Sequence, residues 1–131
     1  MNSDKKEVLN LVNAYIQAVH TQNETDFRSL WLDEDVTLIS VGNLFKGLDS
    51  VYKDFLIGGI QAKYASIDLI AEGQPSVRFL DETTAVVIFA YRTECILRED
   101  GSEYGIWGLE THLLRKSGNG WKIAHLHYSK V

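Results

Sequence analysis

The first twenty residues place apolar side chains at the spacing of one face of an α-helix. Apolar residues recur at intervals of three and four, while Lys5, Asn10 and Gln17 fall on the opposite side. Asp4 followed by Glu7 is a near match to a capping box, which predicts a helix start at Asp4. The apolar face consists of Val8, Leu11, Val12, Tyr15, Ile16 and Val19.

The next stretch, residues 23–59, predicts short helices and short strands. Asn23 is suited to cap a second, shorter helix. Residues 35–40 are apolar and β-branched enough for a strand, with a turn at 41–43 and a short return at 44–46. Apolar positions from Val51 then predict a third helix, which we expect the glycine pair at 58–59 to end.

The second half of the chain reads as long strands. Residues 64–79 are strand-like but contain Gly73 and Pro75, which predicts a bulge or an edge there. Residues 85–97 are apolar at successive positions, a pattern typical of a strand covered on both faces. Segments 107–116 and 121–130 flank a turn at 117–120 and predict an antiparallel hairpin. This order predicts an α+β domain over residues 1–131, with a mostly antiparallel sheet curved around the N-terminal helices and a pocket at its open end.

The register of the last hairpin decides which side chains share a face. If Lys116 pairs with Trp121, strict alternation along both strands puts four ionisable side chains on the pocket face: Glu110, His112, His125 and His127. The opposite face would then be largely apolar, which predicts a homodimer or larger ring through the outer side of the sheet. That outer set is Leu109, Thr111, Leu113, Ala124, Leu126 and Tyr128.

Composition narrows the function classes. The 131 residues carry a formal net charge of -5 with no run of Lys or Arg, so neither nucleic acid nor an anionic membrane surface is an expected partner. The sequence shows no signal peptide and no apolar run as long as a membrane span. The one cysteine, Cys95, suits a reducing compartment, so we expect a cytoplasmic protein.

Several short stretches resemble a known superfamily. They are NETDF at 23–27, GNL at 42–44, GLD at 47–49, ETH at 110–112 and GWKIAHLHYS at 120–129. Together they resemble the association (hub) domain of calcium/calmodulin-dependent protein kinase and the SnoaL-like proteins, both of the nuclear transport factor 2-like superfamily. The resemblance implies a cone-shaped α+β fold, homo-oligomers and a deep pocket. It also implies that Arg92 and His112 occupy the positions of two basic pocket residues of the hub domain.

The candidate site residues follow from the register of the last hairpin and from the resemblance. We expect Glu110 as a base, with His112 or His127 as acid or donor, and a ligand set of Arg92, Glu94, His125, Tyr15 and Trp31. Arg92 suits a small carboxylate because its planar fork binds such groups bidentately. Other interpretations stay open. The histidines can be structural polar residues or, with a carboxylate opposite, a metal triad; Arg92 can pair with Glu94 or Glu110; and Tyr15 and Trp31 can belong to the core.

Two function classes result. The first is a homo-oligomeric pocket domain that binds a small anionic or carbonyl ligand. The second is a small isomerase, cyclase or dehydratase that uses a pocket Glu/His pair for proton transfer next to a carbonyl. Neither a metal nor another cofactor is expected in either class.

Overall fold

The fold is described from a computed structural model, which covers residues 2–131. Two helices open it, α1 (Asn2–Thr21) and α2 (Glu24–Ser29). α1 begins before Asp4, whose carboxylate instead accepts hydrogen bonds from Lys116 Nζ at 2.9 Å and Trp121 Nε1 at 3.1 Å. Asn23 caps α2 as predicted, because its side chain accepts from the Asp26 N–H at 2.9 Å.

Two short strands and a mixed helical segment follow. Strand β1 (Thr37–Ser40) pairs with β2 (Asn43–Lys46) in an antiparallel hairpin. The single turn α3 (Leu48–Ser50) continues into a π-helix, Val51–Gln61. The glycine pair at 58–59 was expected to end this helix, but the chain stays helical past it, with wider π-type hydrogen bonding.

Five further strands complete one strongly curled sheet, in the order β2-β1-β7-β6-β4-β3 with β5 paired to β4. All neighbouring pairs are antiparallel except β1 with β7. The predicted α+β class with a curved, mostly antiparallel sheet is confirmed. The later strands are β3 (Tyr64–Asp81), β4 (Thr84–Leu97), β5 (Glu103–Tyr104), β6 (Trp107–Ser117) and β7 (Gly120–Tyr128).

The concave side of the sheet holds the core. α1 packs there against β3 and β7, and burial alternates along β4, where Val87, Phe89 and Tyr91 are inside. The predicted bulge in β3 is confirmed, because the register with β4 shifts between Glu72 and Ser76. Within the single chain, β4 is covered on its concave face and not on its convex face, where Ile88 is 44% exposed. None of the helices within residues 2–131 combines the length and the apolar character that crossing a membrane requires.

Candidate functional site

A bulge in β7 sets the side-chain directions at the site. Lys116 pairs with Trp121 and Leu114 with Ile123, as predicted, but the next pair along is Leu113 with His125. Ala124 is therefore an extra residue in β7. On the other edge of β7 the hydrogen-bonded partner changes at the same place. There the 30–32 segment bridges Ile123, whereas β1 pairs with β7 only from His125 onward.

The bulge reverses the predicted facing of the two C-terminal histidines. Thr111 pairs with His127 and Glu110 with Tyr128, so the prediction that all four ionisable residues share one face is wrong. His125 lies on the convex side, where its Nδ1 is 2.6 Å from Thr37 Oγ1, and its ring centroid lies 6.5 Å from that of His127. Burial lowers the pKa of His125, and the neighbouring His127 lowers it further.

The same shift corrects the predicted outer face. Leu126 is fully buried, and Tyr128 turns inward to the cavity described below. A signal for the bulge is present in the sequence. Apolar residues at Ile123 and Leu126 are three positions apart, not two, which breaks the period of an unbulged strand.

Glu110 and His112 remain on the concave face and form a buried pair. Glu110 is 2% exposed and His112 is fully buried, and Nε2 of the imidazole lies 2.8 Å from Oε1 of the carboxylate. An ionised carboxylate can only accept, so with Glu110 in that form this contact has Nε2–H of His112 as its donor. The rings of Tyr15 and Phe89 pack edge-on against the imidazole at centroid distances of 5.0 and 5.3 Å. Within residues 2–131, His112 Nδ1 has no hydrogen-bond partner.

Glu110 lines a mainly apolar cavity, which we call the chamber. The space open to the centre of a water molecule is about 50 Å³, enough for a small apolar group or a few waters. Among its described lining residues Glu110 alone is charged, and five others are aromatic. The lining comprises Tyr15, Val19, Phe55, Ile60, Tyr64, Ile67, Leu69, Tyr91, Thr93, Ile106, Glu110 and Tyr128.

The four tyrosines of the chamber are neutral hydroxyl groups at physiological pH. Burial is the main cause that raises the pKa of each, to about 12 for Tyr64, and the nearby Glu110 carboxylate adds to the rise for Tyr15. The Tyr91 hydroxyl donates to the Ser129 carbonyl at 2.8 Å, and the Tyr128 hydroxyl lies 2.5 Å from Ser40 Oγ. The hydroxyl of Tyr15 makes no hydrogen bond to any residue from 2 to 131, so it is available to a ligand.

A second cavity, which we call the vestibule, adjoins the chamber. Phe55, Ile60, Tyr64, Ile106 and Tyr128 line both cavities. The vestibule is larger, with about 290 Å³ open to the centre of a water molecule, and it is more polar. Its remaining lining residues are Ser40, Val41, Asn43, Phe45, Gly59, Lys63, Tyr104 and Lys130.

Arg92 and Glu94 do not reach the chamber. Tyr91 and Thr93 line it, so Arg92 between them points to the convex side. There Arg92 pairs with Glu94 and also with Glu72, with 2.9 Å between Arg92 Nε and Glu72 Oε1. Of the alternatives left open by the sequence, pairing with Glu94 is the one found. An anion clamp built on Arg92 inside the pocket is therefore wrong.

Of the two predicted aromatic ligand residues, one lines the chamber and the other lies in the core. Tyr15 lines the chamber, whereas Trp31 packs in the core against Tyr15 and Phe27 and does not line the chamber. Tyr64, Tyr91 and Tyr128 were missed. For Tyr91 the signal was its alternation with Phe89 on β4, while Tyr128 was assigned to the wrong face by the unbulged register.

The described part of the chain contains neither a group of side chains suited to hold a metal ion nor an exposed thiol. No group of three or more His, Cys, Asp or Glu side chains there is arranged to hold a metal ion. The triad alternative also fails geometrically, because His125 and His127 lie on the face opposite Glu110. Cys95 is buried, and that burial raises the pKa of its thiol, which disfavours the nucleophilic thiolate.

Comparison with known proteins fits this architecture. The family model described as the SnoaL-like domain matches residues 8–131, nearly the whole chain. The chain belongs to the SnoaL-like domain family. It thereby falls in the nuclear transport factor 2-like superfamily, as the sequence motifs indicated. No curated protein matches this SnoaL-like chain in sequence.

Solved structures match the SnoaL-like chain along nearly its whole length at low identity. A nuclear transport factor 2-like superfamily protein from Salmonella enterica serovar Typhimurium has a TM-score of 0.94 at 20% identity, covering 98% of this chain and 92% of its own. Hexachlorocyclohexane dehydrochlorinase LinA-type3 from Novosphingobium barchaimii has a TM-score of 0.86 at 15% identity, covering 99% and 90%. A candidate calcium/calmodulin-dependent protein kinase II association domain from Xanthomonas campestris has a TM-score of 0.79 at 20% identity, covering 95% and 86%. At these identities the similarity establishes the fold of the SnoaL-like chain.

Proposed function

We propose that this protein is a small enzyme that moves a proton at a carbon next to a carbonyl or similar electron-withdrawing group. The observation that carries the proposal is the Glu110–His112 pair, a carboxylate in the lining of an apolar chamber with an imidazole bonded behind it. A carboxylate in a small, mainly apolar cavity can meet the C–H bond of a substrate that displaces water from the space around it.

The chamber supplies the parts that such a step needs. The C–H bond of the substrate breaks, its proton passes to Glu110, and the electron pair moves to the carbonyl oxygen. Nε2–H of His112 holds the other carboxylate oxygen and fixes its orientation. The Tyr15 hydroxyl is a neutral donor in the same cavity and stabilises the negative charge that develops on oxygen.

Return of the proton to another carbon gives isomerisation, and departure of a leaving group gives elimination. Elimination is the class implied by the name of the dehydrochlorinase neighbour. In that case the electron pair of the C–H bond forms the C=C bond, the leaving group departs as an anion, and Glu110 holds the proton until it passes to water. A pocket that only binds its ligand is the competing function. A carboxylate among aromatic rings supports the catalytic one, because it can accept a proton from a ligand carbon that enters the chamber.

Exchange of the α-hydrogens of small cyclic ketones in D₂O, followed by NMR, tests the proposal without a known substrate. We expect the protein to accelerate exchange over buffer, and Glu110→Gln to lower the rate by roughly 10²-fold or more. Glu94→Gln is the matched control, because that carboxylate lies on the convex face and should leave the rate unchanged. A parent rate equal to buffer, or a Glu110→Gln rate equal to the parent, would overturn the proposal.

We also propose that the protein is a homodimer joined through the convex face of the sheet. Large apolar side chains are exposed there on neighbouring strands, with Trp107 at 58%, Leu109 at 57% and Ile88 at 44%. A self-complementary interface between two copies covers such a patch. Sedimentation at micromolar concentration should give a dimer, and Leu109→Lys a monomer that keeps its fold; a monomeric parent would contradict this.

A further inference from the structure

The two adjoining cavities differ sharply in charge. Glu110 is the charged group among the described residues of the chamber, whereas Lys63 and Lys130 line the vestibule with no carboxylate among its described lining. The chain as a whole has 18 acidic against 13 basic residues, so a cavity with two cations and no acid departs from the average surface. Neither lysine forms an ion pair with a described carboxylate.

Lys63 is held at the vestibule by aromatic rings. Its ammonium group lies 4.9 Å from the centroid of Tyr104 and 5.4 Å from that of Tyr64. Contacts with ring faces keep a cation in place without neutralising its charge. Tyr64 also lines the chamber, so the same ring borders both cavities.

The C-terminal segment, residues 129–131, positions Lys130. The backbone N–H groups of Ser129 and Val131 donate to the carbonyls of Leu109 at 3.0 Å and Trp107 at 2.8 Å. The Tyr91 hydroxyl bonds the Ser129 carbonyl from the chamber side. These three bonds fix the backbone on both sides of Lys130, so the Cα atom of Lys130 has a defined position at the vestibule.

We propose that the natural substrate has two parts, an apolar reacting end that enters the chamber and an anionic group, carboxylate or phosphate, that binds between Lys63 and Lys130. This inference rests on the proposed function, because it assumes that the reacting end meets Glu110. The opposite charges of the two cavities fix the orientation. Glu110 repels an anionic end from the chamber, and the two ammonium groups attract it at the vestibule.

Three probes of similar length test this inference by calorimetry at low ionic strength: 4-phenylbutanoate, its primary amide, and 3-phenylpropyl phosphate. We expect either anion to bind roughly tenfold more tightly than the amide, since charge-assisted hydrogen bonds are the stronger ones. The comparison of the two anions tells which of them the vestibule prefers. The preference should shrink as salt is added, because exposed charges are screened.

Lysine variants distinguish anion binding at the vestibule from attraction to the general surface charge. Lys63→Gln and Lys130→Gln should each lower anion affinity several-fold and leave amide affinity unchanged, and the double variant should remove the preference. Lys46→Gln is the matched control, an exposed lysine on β2 that lines neither cavity. The inference is overturned if the amide binds as well as the anions, if none of the probes binds, or if Lys46→Gln has the same effect as Lys63→Gln.

The two proposals fail in different ways. Glu110→Gln should abolish ketone exchange yet retain the preference for anions, because it leaves both lysines in place. Exchange without anion preference would refute the vestibule site alone. Anion preference without exchange would refute the catalytic proposal, and the vestibule would then be the anion site of a binding pocket.

Discussion

His112 Nε2 lies 2.8 Å from Glu110 Oε1, and both side chains are buried on the concave face of one strand. Residues two apart on a regular strand point the same way, so β6 itself brings carboxylate and imidazole together without help from a distant segment. The pair is therefore set by local sequence. Its burial comes from the packing of Tyr15 and Phe89 against the ring.

The two side chains should be energetically coupled. Glu110→Gln and His112→Gln should each lower the free energy of unfolding by about 1–3 kcal/mol, because each leaves a buried polar group with a poorer partner. The double variant should cost less than the sum, with a coupling energy of about 0.5–3 kcal/mol. Urea denaturation of the four proteins measures it, and strict additivity would mean that the contact contributes nothing.

Tyr15→Phe should separate catalysis from stability. The substitution removes only the hydroxyl, which bonds to no described residue, so the melting temperature should change little. Ketone exchange should fall by roughly 10-fold to 10³-fold if this hydroxyl stabilises the developing oxyanion. Tyr128→Phe is a useful comparison, since its hydroxyl already contacts Ser40. Equal losses in the two variants would count against a special role for Tyr15.

His125 should make stability depend on pH. Burial holds the pKa of His125 below its usual value of 6.5 in the folded protein, so the unfolded chain binds a proton first as the pH falls. The free energy of unfolding should therefore rise with pH through the interval from the depressed pKa up to about 6.5 and level off above it. His125→Gln should flatten this slope, and a variant that keeps the full slope would contradict the assignment to His125. Denaturant titrations at several pH values between 5 and 8 measure the slope.

Gly108 should tolerate no side chain. A Cβ atom at this position would lie 2.1 Å from the Ser129 carbonyl oxygen and 2.9 Å from the Lys130 Cα, both backbone atoms. Gly108→Ala should therefore push the C-terminal segment off β6 and lower the free energy of unfolding by about 1–3 kcal/mol. Gly118→Ala is the control, because nothing lies within 4 Å there, and it should stay within about 0.5 kcal/mol of the parent. Equal stabilities would show that the segment yields easily.

Features carried by local patterns were predictable. The helical period from Val8 to Val19, the cap at Asn23 and the β3 irregularity near Pro75 all depend on neighbours in sequence, and the structure confirms them. The Glu110–His112 half of the predicted site belongs to the same class. They are two residues apart on a part of β6 without a bulge, so they share a face.

Features decided by distant pairing were not predictable. The bulge at Ala124 lies where the partner on one edge of β7 changes from the 30–32 segment to β1. Both partners are distant along the chain, so the sequence of the hairpin alone does not reveal the bulge. The facing of His125, His127 and Tyr128 changed with it. The prediction that Arg92 lies in the pocket was wrong for another reason. It was based on the resemblance and not on the alternation of Arg92 with Tyr91 along β4.

The bulge at Ala124 makes the pairing of a single residue, as well as residue identity, a determinant of what faces the chamber. If Ala124 instead paired with Leu113 in a regular ladder, His125 and His127 would replace Leu126 and Tyr128 on the concave face, without altering any of those four side chains. One sequence thus encodes two alternative linings of the concave face, one phenolic and apolar, the other imidazole-rich. Deleting Ala124 would remove only the unpaired residue, so a single-codon deletion at this position should keep the present lining.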